Sequence, residues 1–289
     1  MAIKSSRNSI LLINQTLNEL KFNINYLLEE SFKHTNNNLF IYCLNPSSTA
    51  GNNNNKNLPK LIDKFQFKTI IKQFYQSSFK LNPGINVNCL LPITQESNEK
   101  FLIKNSLNHK YGYFYYDSIL TDINHDNQID ESILQNFIQE FLPHFKCDLS
   151  KPIVHKIDCS SNIQTYDTSN LLLEEITDED LIAKDKIFDN SILGGTFDRL
   201  HIGHKIMLTE AALLTKHKLL IGISDRQLLA SKKLSELIED INIRSESVML
   251  FLYAIAPHLD VETVTINDKF GPSTVEKNYQ VCILFLNFL

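Results

Sequence analysis

Residues 194 to 204 read Gly194-Gly195-Thr196-Phe197-Asp198-Arg199-Leu200-His201-Ile202-Gly203-His204, a glycine turn, a hydroxyl and two histidines within one short stretch. Such groups can bind and polarise phosphate oxygens without a covalent intermediate. The preceding residues, Ile187-Phe188 and Ser191-Ile192-Leu193, have the apolar, β-prone character of a buried parallel strand. Two glycines then let the backbone come close to a ligand. A helix starting near Leu200 would aim its free N–H groups and positive dipole end at an anion, most simply a phosphate. His201 and His204 lie three apart, which places both rings on one face of the first helical turn. Asp198 reads as an orienter of the turn, since a carboxylate beside a phosphate would repel it.

The elements that must position these groups follow the same alternation. The motif strand, a helix over 200–215, a strand over 218–224, a helix over 245–256 closed by Pro257 and a strand over 260–266 predict a Rossmann-like βαβαβ order. Ligands in such sheets sit at the carboxyl ends of the strands, where the glycine turn and Ser224-Asp225 both fall.

The first half also alternates. Strand-like runs at Ile10 to Ile13, Leu39 to Leu44, Val87 to Ile93 and Ile153 to Ile157 are interleaved with helical patterns at Leu17 to Phe32, Leu58 to Phe79 and Ile133 to Phe141. That predicts a second α/β domain with a partly parallel sheet. Pro46 to Asn57 reads as a low-complexity polar insert. The acidic stretch 171–186 reads as a linker, which separates an N-terminal domain, 1–170, from a C-terminal one, 187–289. Asp122, Asn124, Asp126, Gln128 and Asp130 alternate like an EF-hand loop. Asn127 and Ile133 stand where that loop needs Gly and Glu, so they are read as a solvated turn. The aromatic group Tyr111, Tyr113, Phe114, Tyr115 and Tyr116 lacks interleaved basic residues and reads as core or an interface strand.

The motif resembles the G-x-T-F-D-x-x-H-x-G-H signature of the cytidylyltransferase-like nucleotidyltransferase superfamily. Within it, Gly-Gly-Thr-Phe-Asp-Arg-Leu-His followed by His-Lys most resembles the phosphopantetheine adenylyltransferase domain of eukaryotic coenzyme A synthase. Three further segments match in order: Leu219 to Asp225, the basic loop Leu228 to Leu237, and Asp268 to Pro272. The resemblance implies an adenylyltransferase that moves AMP from ATP to 4'-phosphopantetheine, with Mg2+ screening the phosphates. It assigns Thr196 to the acceptor phosphate, His204 to the ATP phosphates, and Lys232, with Lys233 as the alternative, to the α-phosphoryl group. The binding set it implies adds Gly194, Gly195, Phe197, His201, Gly203 and Arg244, the arginine being equally open to a structural ion pair. It names no metal ligand in the chain. Other acceptors stay open, whether phosphocholine-like, nicotinamide or flavin, as does a non-catalytic nucleotide-binding protein. On the same resemblance, a Ser/Thr-rich helix start is expected after the strand near Val281. The chain stops at Leu289 and is therefore expected to be C-terminally incomplete and weak in turnover. No phosphate loop of the G-x-x-x-x-G-K-[ST] kind occurs, so no kinase half is expected. Residues before the motif domain faintly resemble the region that precedes it in coenzyme A synthase.

Composition narrows the partners. The 289 residues are 43% hydrophobic and carry a formal net charge of −5. Nucleic acid is a poor fit to that balance, and the chain lacks the basic surface a class I aminoacyl-tRNA synthetase would need despite a shared His-x-Gly-His element. Small-molecule substrates fit better. No segment approaches the roughly 20 apolar residues of a membrane span. Cys43, Cys89, Cys147, Cys159 and Cys282 occur singly, without metal-site spacing, and read as reduced and buried in a cytoplasmic protein. Oligomeric state is left open.

Overall fold

The computed structural model describes residues 6–15, 17–45, 60–61, 64–91, 113–123, 134, 138–139, 142–159, 187–230, 233–268, 271 and 278–283. Their elements fall into two compact units.

In the first unit, β1 (Ser6–Ile13) leads into α1 (Leu17–Phe32), then β2 (Thr35–Asn45), the two-residue β3 (Lys60–Leu61), α2 (Lys64–Leu81) and β4 (Asn86–Cys89). After these come β5 (Phe114–Tyr116), β6 (Ser118–Ile123), β7 (Phe145–Cys147) and β8 (Ile153–Asp158). β4, β2, β1, β6 and β8 lie side by side, all parallel, with β3 a short antiparallel addition to β2. Counting only the parallel strands in chain order, the arrangement is 3-2-1-4-5, so the connections diverge between β1 and β6. Ile10, Leu11, Leu12 and Ile13 are all fully buried, which is why β1 reads as a continuous apolar run and not as an alternating one. α1 buries Leu20, Ile24, Leu27 and Leu28, the spacing of one helix face.

Several expectations change here. Asp122 is not in a solvated turn: it sits inside β6, 3% exposed, and the rest of the alternating acidic stretch lies outside the described residues. Polar Ser118, Thr121 and Asp122 hid this strand from its apolar pattern. Phe114 to Tyr116 form β5, where Phe114 stacks on Phe145 at 5.5 Å, while Tyr111 lies outside the described residues. The strand foreseen to Ile93 ends at Cys89, and α2 begins at Lys64 instead of Leu58. The helix foreseen over 133–141, the insert at 46–57 and the acidic stretch 171–186 lie wholly or mostly outside the described residues. Cys43, Cys89 and Cys159 are buried thiols, but Cys147 is only half-buried.

In the second unit, β9 (Phe188–Gly195), α3 (Ile202–Leu214), β10 (Thr215–Ser224), α4 (Arg226–Leu229), α5 (Ile241–Ile255), β11 (Asp260–Ile266) and β12 (Val281–Ile283) follow in order. The four strands are parallel, side by side as β11, β10, β9 and β12, or 3-2-1-4 in chain order. The fold class is α/β with parallel sheets, as the alternation predicts. α3 starts two residues after its expected position and α5 four before, since caps and not apolar periodicity set these ends, and α4 was not foreseen. His201 caps α3, Asp225 caps α4 and Asp240 caps α5.

Candidate functional site

β9 has on one side β10, the next strand in the chain, and on the other β12, which comes only after β11, so the strand order reverses beside β9 and opens a crevice at its carboxyl end. Residues 194 to 204 occupy that end. Gly194 pairs with Gly222 of β10, and Gly195 with Ile223. The glycines have a further reason to be there. A Cβ at Gly195 would come within 2.9 Å of the Phe197 ring, and one at Gly222 within 2.9 Å of Ile266. Gly195 is thus needed for Phe197 to fold back over the strand end. Gly194 would meet only ordinary contact, 3.5 Å from Ile266, and is exposed.

Six residues separate β9 from α3, and two of them are strained. Phe197 (φ 54) and Arg199 (φ 41) take left-handed backbone without being glycine. Such conformations cost of order 1–3 kcal/mol each and persist where the surroundings over-determine them. The Phe197 side chain is fully buried, its ring 5.3 Å from that of His204.

His201 lies one residue before the helix, in extended backbone (φ −100, ψ 175), where its Nδ1 accepts from the Gly203 N–H at 3.1 Å. His204 is inside the first turn. The two rings nevertheless stack, with centroids 3.8 Å apart and planes 22° from parallel. Burial lowers the pKa of His201 below the ordinary histidine value, against a smaller upward pull from Asp198. A neutral His201 both keeps its cap and spares His204 a cationic neighbour.

Arg244, on α5, is 2% exposed, and two of its guanidinium nitrogens donate to carbonyls. Nη1 donates to Thr196 O at 2.7 Å and Ser224 O at 3.1 Å, and Nε donates to Glu239 O at 2.8 Å. These bonds tie the motif turn, the end of β10 and the segment before α5 to one planar group. The Ser224 hydroxyl adds a bond to Gly195 O at 3.2 Å. Thr196 and Gly203 are half-buried at the crevice. Lys233 is exposed, and Lys232 lies outside the described residues. Among the described residues, no group of three or more His, Cys, Asp or Glu is gathered as a metal site would require.

The motif's own spacing does not reveal Asp198, Arg199 and Glu239, which meet across about 40 residues of chain. Asp198 Oδ1 accepts from Glu239 N at 2.9 Å, and Glu239 Oε2 accepts from Arg199 N at 3.1 Å. Asp198 is thereby an orienter, as its charge suggested. Glu239 had one signal in the sequence, its place beside the Asp240 cap of α5.

Residues 192–268 match the cytidylyltransferase-like family. The matched residues run from within β9 to just past β11 of the second unit. The chain is 38% identical over 112 residues to the phosphopantetheine adenylyltransferase of Saccharomyces cerevisiae, which is 39% of this chain and 36% of that one. It is 30% identical over 96 residues to the phosphopantetheine adenylyltransferase of Pyrobaculum aerophilum, covering 33% and 61%. An uncharacterised protein of Schizosaccharomyces pombe is 41% identical over 86 residues, 30% of this chain and 27% of that one. The chain thus spans from about a quarter to under two thirds of these relatives' lengths. No solved structure matches it. Among the described residues, no helix is long and apolar enough to cross a membrane.

Proposed function

We propose that the second unit is a pantetheine-phosphate adenylyltransferase, which converts ATP and 4'-phosphopantetheine to dephospho-coenzyme A and pyrophosphate. The observation that carries this reading is the stacked His201–His204 pair at the start of α3, beside the carboxyl end of β9 where the strand order reverses. An acceptor phosphate oxygen attacks the α-phosphorus of ATP, the bond from that phosphorus to the α,β-bridging oxygen breaks, and pyrophosphate leaves. No covalent enzyme intermediate is needed, so the protein contributes position and charge.

In this reading His204 donates to the ATP phosphates while His201 stays neutral and caps the helix. Thr196 and the bare glycine end of β9 hold the acceptor phosphate. Lys232 follows the α-phosphoryl group with a mobile charge, so Lys232→Ala should lower the turnover number more than Lys233→Ala. Equal losses would mean a diffuse field and no specific contact. Arg244 shapes the site from beneath without touching substrate. Residues 1–170 and 187–289 are separate domains on this reading, joined by 171–186, and the single cysteines favour the cytoplasm.

The test is pyrophosphate release by the purified protein with ATP and, in parallel, 4'-phosphopantetheine, nicotinamide mononucleotide, flavin mononucleotide or phosphocholine. Release that depends on 4'-phosphopantetheine supports the reading. Release with another acceptor would reassign the substrate. Nucleotide binding with no release from any acceptor would replace it with a non-catalytic binding role.

A further inference from the structure

Between α4 and α5 run residues 230–240, the segment that carries Lys232 and Lys233. Its far end is fastened to the motif turn by an unusual concentration of bonds. At Glu239 the N–H, the carbonyl and the carboxylate are all engaged: with Asp198 Oδ1 at 2.9 Å, Arg244 Nε at 2.8 Å and Arg199 N at 3.1 Å. Arg199 Nη2 reaches over to Leu237 O at 2.9 Å, and Arg199 Nη1 pairs with Asp198 Oδ2 at 2.8 Å. Leu234, at the start of this anchored piece, is itself left-handed (φ 58), and Leu237 N–H returns to Leu234 O at 3.0 Å.

The strain in the motif turn now has a purpose. Arg199 at φ 41 presents its backbone N–H to the Glu239 carboxylate, and the same residue's guanidinium holds the Leu237 carbonyl. Ordinary β or αR backbone at Arg199 would turn that N–H elsewhere. A surface ion pair such as Arg199–Asp198, with side chains 61% and 26% exposed, stabilises a fold little on its own. The pair lies within the motif turn, and both side chains then reach on to the other segment, Asp198 Oδ1 accepting from Glu239 N and Arg199 Nη2 donating to Leu237 O.

We propose that Asp198, Arg199 and Glu239 form a latch of positioning residues that holds the lysine segment in register with the histidine turn. This inference rests on the adenylyltransferase reading for its catalytic consequence, though not for the latch itself. A floppy lysine segment would still allow substrates to bind through the histidine turn, but the lysine would arrive at the α-phosphoryl group in only a fraction of encounters. The loss should fall on turnover and not on the Michaelis constant of the acceptor.

The experiment compares wild type with Glu239→Ala and Glu239→Gln in two measurements. Glutamine keeps an oxygen for the Arg199 N–H, while alanine removes it. The first measurement is the rate of tryptic cleavage after Lys232 and Lys233 under native conditions. Glu239→Ala should cleave at least several-fold faster than wild type, and Glu239→Gln should stay near it. The second is steady-state kinetics: Glu239→Ala should lose about 10- to 100-fold in kcat, the equivalent of one charged hydrogen bond, with the acceptor KM within about threefold. Rescue by glutamine is expected in both. Unchanged cleavage in Glu239→Ala overturns the latch, as does a kcat within twofold of wild type. A purely structural role would lower the active fraction and Tm of the alanine variant without faster cleavage confined to these two lysines, and that too overturns it. If wild type itself releases no pyrophosphate, the functional reading falls while the cleavage rates still decide the latch.

Discussion

The two units build parallel sheets in the same 3-2-1-4 order, and each therefore opens a crevice at the carboxyl end of its first strand. What they put there differs. In the first unit β1 passes almost directly into α1, with Asn14 and Gln15 at the turn. The Asn14 N–H is met by Asp122 Oδ1 of the neighbouring β6 at 2.7 Å, and Gln15 Oε1 accepts from Asn23 Nδ2 at 2.9 Å. The Asp122 carboxylate is thus turned onto the backbone that leaves β1. In the second unit the six residues from Thr196 to His201 make a wider turn, and the cap and first turn of α3 present stacked imidazoles with Asp198 directed away to Glu239. Sheet order makes both crevices; the charge and length of the turn determine which one suits an anion.

His204→Ala should break this contrast most completely. Turnover should fall about 100- to 1,000-fold, by comparison with other preorganised donors, while Tm stays close to wild type. Asp122→Asn, in the other crevice, should leave turnover untouched. Kinetics and thermal melts on the two variants check both halves. A His204→Ala enzyme with wild-type turnover would remove the histidine pair from the chemistry.

Arg244→Ala should be the most destabilising of these changes. It strands the Thr196, Ser224 and Glu239 carbonyls beneath the site and should cost about 3–5 kcal/mol in urea denaturation of the second unit. Arg244→Lys should recover little, because one ammonium cannot span three acceptors in a plane. Near-complete recovery would mean that charge matters there and the fork does not.

Asp122 sharpens the contrast through pH. Burial raises its carboxyl from 3.8 to about 6, with bonds from Asn14 and Gln15 opposing. The folded state thus holds the proton more tightly than the unfolded chain does. The associated stability is fully present below pH 3.8 and is lost as pH rises through about 6, roughly 3 kcal/mol in all. Asp122→Asn should remove that component, so its difference from wild type in urea denaturation should grow between pH 4 and 7. A constant difference would mean that the carboxyl is not protonated in the fold.

The smallest effect belongs to His201, and its sign is opposite. Its pKa is lowered, so its contribution is present above 6.5 and is lost as pH falls through its folded value, when the protonated ring can no longer accept from Gly203 N. His201→Asn, which still caps a helix, should flatten the acid side of the second unit's stability profile. A profile unchanged by that substitution would place the acid sensitivity elsewhere.

Much of this was legible in the chain because local rules governed it. α1 spans Leu17–Phe32, the bounds its apolar spacing predicts, and β11 likewise spans Asp260–Ile266. The motif turn announced itself by residue type, since few contexts place Gly-Gly-Thr before two histidines. β6 was not legible: Ser118, Thr121 and Asp122 are buried by pairing with neighbours more than a hundred residues away, which no local pattern encodes. Asp122 alternates with polar neighbours in the sequence, and that local pattern is the one a solvated turn shows.

The sequence by itself determined the α/β alternation, the motif strand and helix, and the kind of chemistry that glycines, a hydroxyl and histidines can support, because these depend on residue types a few positions apart. Only the tertiary structure decided that Arg244 grips carbonyls, that Gly195 makes room for Phe197, and that Asp198 and Arg199 reach Glu239. Those outcomes depend on the direction of N–H and C=O groups at positive φ and on side chains brought together from distant parts of the chain. Direction in space is a property of the packed backbone, and residue identity alone does not carry it.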